Sequence, residues 1–461
     1  NVIDEYHLLA PGDPGSVERD FVSKAWTSLT CMVRDLLEAR TPVILETATP
    51  RHDALNALKT HCRASSLYIL SYDASSSAGS TRNGTKIVVN DRDFTDPLLD
   101  RLYKTFIHRA EGFTQKALNL CLKEAGSCNI LVACNNIRSA VQICHDLRER
   151  GLSPILLHSQ FTSQDKGQKI REIQKRMQSG DAIVVSTQVI EVGVNLDFDM
   201  LISDAAPIAS LVQRIGRVGR KIDRTPAEYF AIHIVYDTSY EQNTSHLYAH
   251  VYSLQFTQAT VQFLAQAKNE GLEISWRIPA SARVNNLLPY NKIAERIYHL
   301  EGLSFDRTLS IILRTMLDPT TDAKRALTYI RHLRSLVRDS IEIPVLIVKE
   351  PLEVGATIHF REDMFVPARP SALGLQVDPK AIRPVNHKKL SSALQLANDK
   401  LVAIVEREKD DVTEVTALSF KELDQFYSQG YIFKDGRRVL FRALVAKPEA
   451  YSREEGFTAW L

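Results

Sequence analysis

Between residues 129 and 237 the apolar residues come in short unbroken runs, separated by stretches with helical spacing. The runs are Ile130-Leu131-Val132-Ala133, Ile155-Leu156-Leu157, Ala182-Ile183-Val184-Val185, Met200-Leu201-Ile202 and Ile232-His233-Ile234-Val235. A strand covered by helices on both faces loses its in–out alternation and reads as continuous apolar sequence. The pattern therefore predicts an α/β fold around a parallel sheet, with ligands bound beyond the C-terminal ends of the strands. Upstream, Val43-Ile44-Leu45 predicts another buried strand, and Asp20 to Glu38 a helix with Phe21, Ala25, Leu29 and Met32 on one face. Asp73 to Gly84 is rich in Ser and Gly and predicts a linker or exposed loop. Asp96 to Ala125 and most of 241–340 carry helical spacing.

After Glu342 the pattern changes to strand-like runs, Ile343 to Val348, Leu401 to Val405 and Val412 to Ala417. Tyr431 to Phe441 predicts a hairpin, with Asp435-Gly436 at a tight turn. These shifts divide the chain into 1–72, a linker with connecting helices over 73–125, the parallel-sheet region 126–240, a helical region 241–341 and an α+β module 342–461. No repeat is evident.

Composition narrows the classes. With 44% hydrophobic and 24% charged residues the 461-residue chain is a folded protein rather than a disordered one. Its apolar runs are only strand-length, so no membrane span is expected. The net charge of +2 predicts that any nucleic-acid surface is a local patch. The six cysteines form no CxxC pair and no secretory signal precedes them, which points to reduced thiols in a cytoplasm-like compartment. The chain begins at Asn1 and runs straight into Val2-Ile3-Asp4-Glu5, the pattern of a strand whose partners precede it or belong to a companion chain.

Candidate chemistry clusters where the fold places it. Asp4-Glu5-Tyr6-His7 follows a strand, where one carboxylate suits a Mg²⁺ ion on nucleotide phosphates and the next an attacking water. A solvated acidic turn gives the same string. Thr47-Ala48-Thr49 also leaves a strand, and a helix cap is the alternative reading. Ser186 to Asp199 joins two strands through a hydroxyl- and amide-bearing turn with Gly193, suited to a nucleotide or a nucleic-acid backbone. Gln213-Arg214-Ile215-Gly216-Arg217-Val218-Gly219-Arg220 is the most informative string. Spacing of three predicts Arg217 and Arg220 on one side of a helix, two fixed-charge forks suited to a γ-phosphate. A basic helix start is the alternative, which the two glycines disfavour.

In this order and spacing the four strings resemble motifs II, III, V and VI of the superfamily 2 helicases, motors with two RecA-like lobes. The chain more closely resembles the signature helicase of type I CRISPR-associated immunity, on three features. These are Leu156-Leu157-His158-Ser159-Gln160-Phe161-Thr162, Gln188-Val189-Ile190-Glu191 with Leu196-Asp197-Phe198-Asp199, and Asp204-Ala205-Ala206-Pro207 ahead of Gln213. The resemblance covers about residues 1–237. It implies the second half of RecA-like lobe 1 over 1–72 and the whole of lobe 2 over 126–240.

The resemblance also implies roles. Asp4 would hold Mg²⁺, Glu5 polarise water, and His7, Gly193, Asn195 and Gln213 contact ATP or couple its site to the other lobe. Arg217 and Arg220 would reach the γ-phosphate, and Thr47 and Thr49 would link hydrolysis to strand movement. Ser159 and Thr187 would hold the backbone of single-stranded DNA, tracked 3′ to 5′ after recruitment by an RNA-guided surveillance complex. Asn195 stands where relatives usually carry Asp, and Asn136 where Thr is common. The sequence contains no Gly-x-x-x-x-Gly-Lys-Ser/Thr phosphate loop, so that half of the ATP site is expected in an N-terminal portion or companion chain. The family's HD nuclease is likewise not visible, since His52-Asp53 and His145-Asp146 are isolated pairs.

Three further features carry alternatives. His246 and His250 lie one helical turn apart without further ligands. Asp322 to Ser340 predicts a helix whose Arg331, Arg334 and Arg338 form a basic stripe, either a single-strand path or a solvated face. Lys166 to Arg176 reads the same way. Two other functions stay open: a superfamily 2 motor acting on RNA or in DNA repair, and a nucleic-acid-binding subunit without its own ATPase.

Overall fold

The computed structural model describes residues 2–4, 24–46, 58, 62, 69–72, 80–81, 84–89, 103–191, 195–220, 229–242, 252, 254–276, 287–298, 342–377, 382–407, 413–429, 431–434 and 437–458. They fall into two compact units, 1–157 with 172–306, and 158–171 with 307–461.

The first unit is built on a six-stranded parallel sheet, β6 (Tyr103–Ala110), β7 (Ile130–Ala133), β8 (Ile155–Leu157), β9 (Ile183–Ser186), β10 (Met200–Asp204) and β11 (Phe230–Asp237), in the order β6-β11-β10-β7-β9-β8. The expected α/β class and parallel sheet are therefore observed. Every residue of β7 and β10 is buried, as a central strand covered on both faces requires. Helices α2 (Phe113–Glu124), α3 (Ile137–Glu149) and α5 (Ile208–Ile215) alternate with the strands, and α4 (Ser163–Met177) runs on from the second unit into this one. Asn136, the departure from the common Thr, caps α3, its side-chain oxygen accepting from the Ser139 amide at 2.8 Å.

One expectation is corrected. The helical reading of 96–125 holds only from Phe113, because Tyr103–Ala110 is a strand. It is the edge strand, paired on one side with β11 from Tyr103↔Phe230 to Ala110↔Asp237. Its polar residues are accommodated locally: Trp276 Nε1 donates to Thr105 Oγ1 at 2.9 Å, and His108 Nε2 lies 2.9 Å from His233 Nδ1. With one flank open the strand shows neither an apolar run nor clean alternation, so periodicity does not reveal it.

At the start of the chain, β1 (Val2–Asp4) and β2 (Ile44–Glu46) pair in parallel in the register Asp4↔Glu46, with α1 (Lys24–Glu38) between them in sequence; the expected strand forms, but Ile44 is exposed rather than buried. A second small sheet contains β3 (Ile69–Tyr72), β4 (Ser80–Thr81) and β5 (Gly84–Val89), which corrects the linker expected over 73–84: Ser80 and Thr81 pair with Thr85 and Gly84 as strand. The 241–340 region contains α6 (Leu254–Asn269) and α7 (Tyr290–Tyr298), but also the parallel pair β12 (Glu273–Ser275) and β13 (Leu287–Pro289). The expected Asp322–Ser340 helix, with Arg331, Arg334 and Arg338, lies outside the described residues.

The second unit is organised by β19 (Lys400–Arg407), flanked by β20 (Thr413–Leu418) and β22 (Arg437–Val445). Successive β19 side chains serve opposite cores. Leu401, Ala403 and Val405 pack with Val345, Val366 and Leu444, while Val402 and Ile404 pack with Leu346, Val415 and Ala443. Each fully buried Val, Leu or Ile contributes about 1.5–3 kcal/mol. The expected hairpin forms as β21 (Tyr431–Lys434) against β22, with Lys434 paired to Arg437. The sheet is completed by β14 (Ile343–Leu346), β15 (Phe365–Ala368) and β18 (Leu396–Ala397), while β16 (Leu375–Val377) and β17 (Ile382–Pro384) form a separate antiparallel pair. A short antiparallel pair, β23 (Tyr451–Ser452) and β24 (Gly456–Phe457), closes the described chain. No helix of the described residues is long and apolar enough to cross a membrane.

Candidate nucleotide and nucleic-acid site

Of the described sequence-predicted residues, Asp4 lies in a strand, Ser159 and Thr187 follow strands, Gln213 lies in α5, and Asn195, Arg217 and Arg220 lie on connecting segments. Asp4 ends β1 and pairs with Glu46, the last residue of β2. Glu5, His7, Thr47, Thr49 and Gly193 themselves lie outside the described residues, as do His52, Asp53, His246 and His250.

The described part of the site centres on Arg214, whose side chain is fully buried. Its Nε donates to Glu191 Oε1 at 2.8 Å, Nη1 to Ser203 Oγ at 2.9 Å and the Asp204 carbonyl at 3.0 Å, and Nη2 to Asn135 Oδ1 at 2.9 Å and Tyr252 Oη at 3.0 Å. Tyr252 in turn donates to Glu191 Oε1 at 3.0 Å. Burial opposes the Arg214 charge, but Tyr252, Glu191 and Asp204 outweigh it and raise its pKa above the ordinary value. Burial pushes the Tyr252 phenol up to about 12, so it remains a neutral donor. The hub thus ties together the end of β7, the turn after β9, β10 and helix α5.

From this anchor the two arginines emerge. The helical placement of Arg217 and Arg220 is corrected: α5 stops at Ile215 with Gly216 as its C-cap, and both residues lie on the turn that follows. Arg217 Nη2 donates to the Glu191 carbonyl at 2.5 Å, and the Arg220 amide donates to Asp197 Oδ1 at 2.6 Å. Phe198 and Val218 form an isolated parallel bridge, with Phe198 N donating to the Arg217 carbonyl and Gly219 N to the Phe198 carbonyl. Gly219 has φ +60°, and a Cβ there would lie 2.5 Å from the Phe230 ring, so both backbone and space require glycine. Tyr103 Oη donates to the Val218 carbonyl at 3.0 Å. The result is one tight turn that leaves Arg220 exposed and Arg217 and Gln213 half-buried, with Asn195 exposed on the preceding segment.

Sequence reasoning singled out Arg217 and Arg220 but assigned no role to Arg214, Glu191, Asn135, Asp197 or Tyr252. Glu191 and Asp197 stood in the strings carrying the resemblance, and a charged residue amid a buried turn was the available signal. Tyr252 offered none, since it comes from a distant segment.

Among the candidate strand contacts, Thr187 is 3% exposed and opens the short 3₁₀ turn Gln188–Ile190. Ser159 is half-buried, and follows the fully buried His158. His158 stacks on Phe161, with ring centroids 4.4 Å apart, and burial lowers its pKa to about 3. The unfolded chain takes up this proton near pH 6.5, so the neutral imidazole contributes stability that is complete above that pH and falls away as pH drops toward 3. Between pH 7 and 4.5 this residue should account for about 2 kcal/mol of lost stability. Urea denaturation of wild type and His158→Leu at both pH values measures it, and an equal loss in both proteins would refute it.

His145, Asp146 and Glu149 are the single group of metal-capable side chains among the described residues. They are neighbours on α3 and largely exposed, with His145 Nδ1 at 3.6 Å from Glu149 Oε1. The described cysteines are free, and all but Cys128 are buried.

Several known proteins are similar to parts of this chain. Residues 126–223 match the family model described as CRISPR-associated nuclease/helicase Cas3, C-terminal. The CRISPR-associated nuclease/helicase Cas3 of Methanothermobacter thermautotrophicus is 34% identical over 134 residues, 28% of this chain and 16% of that relative. The CRISPR-associated helicase Cas3 of Thermoproteus tenax is 39% identical over 79 residues, 16% of this chain and 13% of that relative. Among solved structures, T. fusca Cas3 superposes with a TM-score of 0.52 at 17% identity, covering 82% of this chain and 48% of that one. T. fusca Cas3-AMPPNP gives 0.54 at 17% identity, covering 81% and 48%. The chain therefore spans about half the length of these solved structures, and its alignments cover less of the two relatives. Over residues 126–223 the chain is thus similar to the C-terminal part of CRISPR-associated nuclease/helicase Cas3, and the T. fusca Cas3 structures share its fold.

Proposed function

We propose that this chain is the lobe-2 and C-terminal part of an ATP-driven motor that translocates on single-stranded DNA in CRISPR-associated defence, recruited by an RNA-guided surveillance complex. The observation that carries the reading is the arginine turn. A buried ion pair fixes Glu191, Glu191 holds Arg217, and Asp197, on the segment that leads into β10, holds the Arg220 backbone and leaves Arg220 exposed. Such preorganised forks suit the charge that spreads over a transferring γ-phosphoryl group. The relatives' names supply the CRISPR context, and the likeness to T. fusca Cas3-AMPPNP supports a nucleotide ligand.

In this reading Asp4 holds Mg²⁺, a hard cation that carboxylate oxygen suits, and the ion neutralises phosphate charge when bound. Glu5 orients water, while His7, Gly193, Asn195 and Gln213 line the nucleotide and Thr47 and Thr49 couple it to strand movement. The phosphate loop and an HD nuclease belong to an N-terminal portion or a companion chain. Residues 1–72 form the tail of lobe 1, 126–240 lobe 2, and 241–341 and 342–461 the accessory regions. Ser159, Thr187, Arg331, Arg334 and Arg338 contact the strand backbone without reading sequence.

The test is ATP hydrolysis by the complete motor with and without oligonucleotides. Stimulation by oligo(dT) but not by an RNA of equal length is expected. Equal stimulation by RNA would favour the alternative motor, and no hydrolysis at all would favour a binding subunit.

A further inference from the structure

The last described turn of the chain grips the segment that bears Ser159, and both belong to the second unit. His158 Nε2 donates to the Glu455 carbonyl at 3.0 Å, while its Nδ1 accepts from the Gln160 amide at 3.2 Å. These two bonds require one neutral tautomer, with the proton on Nε2. The Phe457 amide donates to the Gln160 carbonyl at 2.9 Å, and Gln160 Nε2 donates to the Pro367 carbonyl at 2.8 Å. Tyr451 Oη accepts from the Thr162 amide at 3.2 Å and donates to the Asp165 carboxylate.

Gly456 is the close point of this grip. It has φ +76°, and a Cβ there would lie 2.7 Å from the Gln160 carbonyl oxygen and 2.9 Å from His158 Cε1. Backbone and imidazole occupy that space, so no side chain fits without moving the segment. The residues on both sides of Ser159 are thus pinned from the C-terminal turn. Two lysines follow on the same segment: Lys169 Nζ lies 4.4 Å from the Phe161 ring centroid, and the Lys166 amide donates to the Thr162 carbonyl at 2.9 Å.

The geometry points to the Tyr451–Phe457 turn as a positioning element for nucleic-acid binding, one that holds Ser159 and the Lys166 and Lys169 ammonium groups in register for backbone phosphate of a single strand. This rests on the proposed strand-binding role of Ser159. A hydroxyl and two ammonium groups bind phosphate well only when their spacing is fixed beforehand, because ordering them on binding costs affinity. An anchor made of short backbone bonds around a glycine fixes that spacing without touching the ligand itself.

The inference is tested in the full-length motor with fluorescein-labelled oligo(dT), by anisotropy at several salt concentrations. Ser159→Ala, Gly456→Ala and their double variant are compared with wild type, and binding of a non-hydrolysable ATP analogue serves as the control. Gly456→Ala should weaken oligo(dT) binding about tenfold, and the double variant should be no weaker than the worse single one, since both act through one contact. Analogue binding should stay within about twofold of wild type. Wild-type binding by Gly456→Ala alongside weakened Ser159→Ala would overturn the positioning role and leave the strand reading intact. Wild-type binding by Ser159→Ala would remove the strand reading of this segment, and the inference with it. If Gly456→Ala does not fold, Tyr451→Phe decides: it removes one hydroxyl, and weakening of about threefold supports the role whereas unchanged binding refutes it.

Discussion

Glu191→Ala should destabilise the first unit by about 3–5 kcal/mol, because it strips the partner from a fully buried guanidinium. Arg214 cannot shed its proton to escape, and its full burial keeps it from bulk solvent. Its remaining hydrogen-bond partners, Ser203, the Asp204 carbonyl, Asn135 and Tyr252, are neutral oxygens, and the nearby Asp204 carboxylate then acts on its charge without the Glu191 ion pair. Tyr252 would lose its own acceptor at the same time. Glu191→Gln keeps the shape and part of the bonding and should cost less, while Tyr252→Phe removes a single hydroxyl at about 1 kcal/mol. Urea denaturation followed by circular dichroism ranks the three. A loss below about 1 kcal/mol for Glu191→Ala would mean that the pair is not buried in solution.

Much of this architecture was legible because the physics that shapes it is periodic. The parallel strands β7 to β10 announce themselves as continuous apolar runs, since helices cover both faces. The hairpin of β21 and β22 follows from Asp-Gly between alternating segments. The edge strand β6 was missed for the opposite reason: Lys104, His108 and Arg109 break any pattern, and its partners Trp276 and His233 are far away in sequence. The arginine turn was half legible. Two glycines signalled that a helix could not continue, yet the spacing of Arg217 and Arg220 still read as helical. What settles the matter is Phe230, whose ring fills the place of a Gly219 side chain, and Asp197, which takes the Arg220 amide. Neither is a neighbour in sequence. The grip of Gly456 on His158 and Gln160 spans nearly three hundred residues, and no local pattern foretells it.

Arg220→Ala should reduce ATP turnover by the complete motor about a thousandfold while leaving oligo(dT) affinity within about twofold. The two effects separate because of how the residue is held. Among the described residues its backbone amide is held by Asp197, while the side chain is exposed, so truncation removes a charge and leaves that bond in place. Arg217 differs: its guanidinium is bonded to the Glu191 carbonyl, so Arg217→Ala should lower turnover and also loosen the turn. Arg217→Lys keeps the charge but not the planar fork, and should recover little activity. Phosphate release at saturating ATP, with thermal denaturation of each variant alongside, distinguishes lost chemistry from lost structure. Turnover within fivefold of wild type for Arg220→Ala would discard its assignment to the γ-phosphate. The same loss in Asp197→Ala, with the Arg220 side chain intact, would place the effect in the aim of the fork rather than in its charge, because the aspartate's described contact to this turn is with the Arg220 backbone.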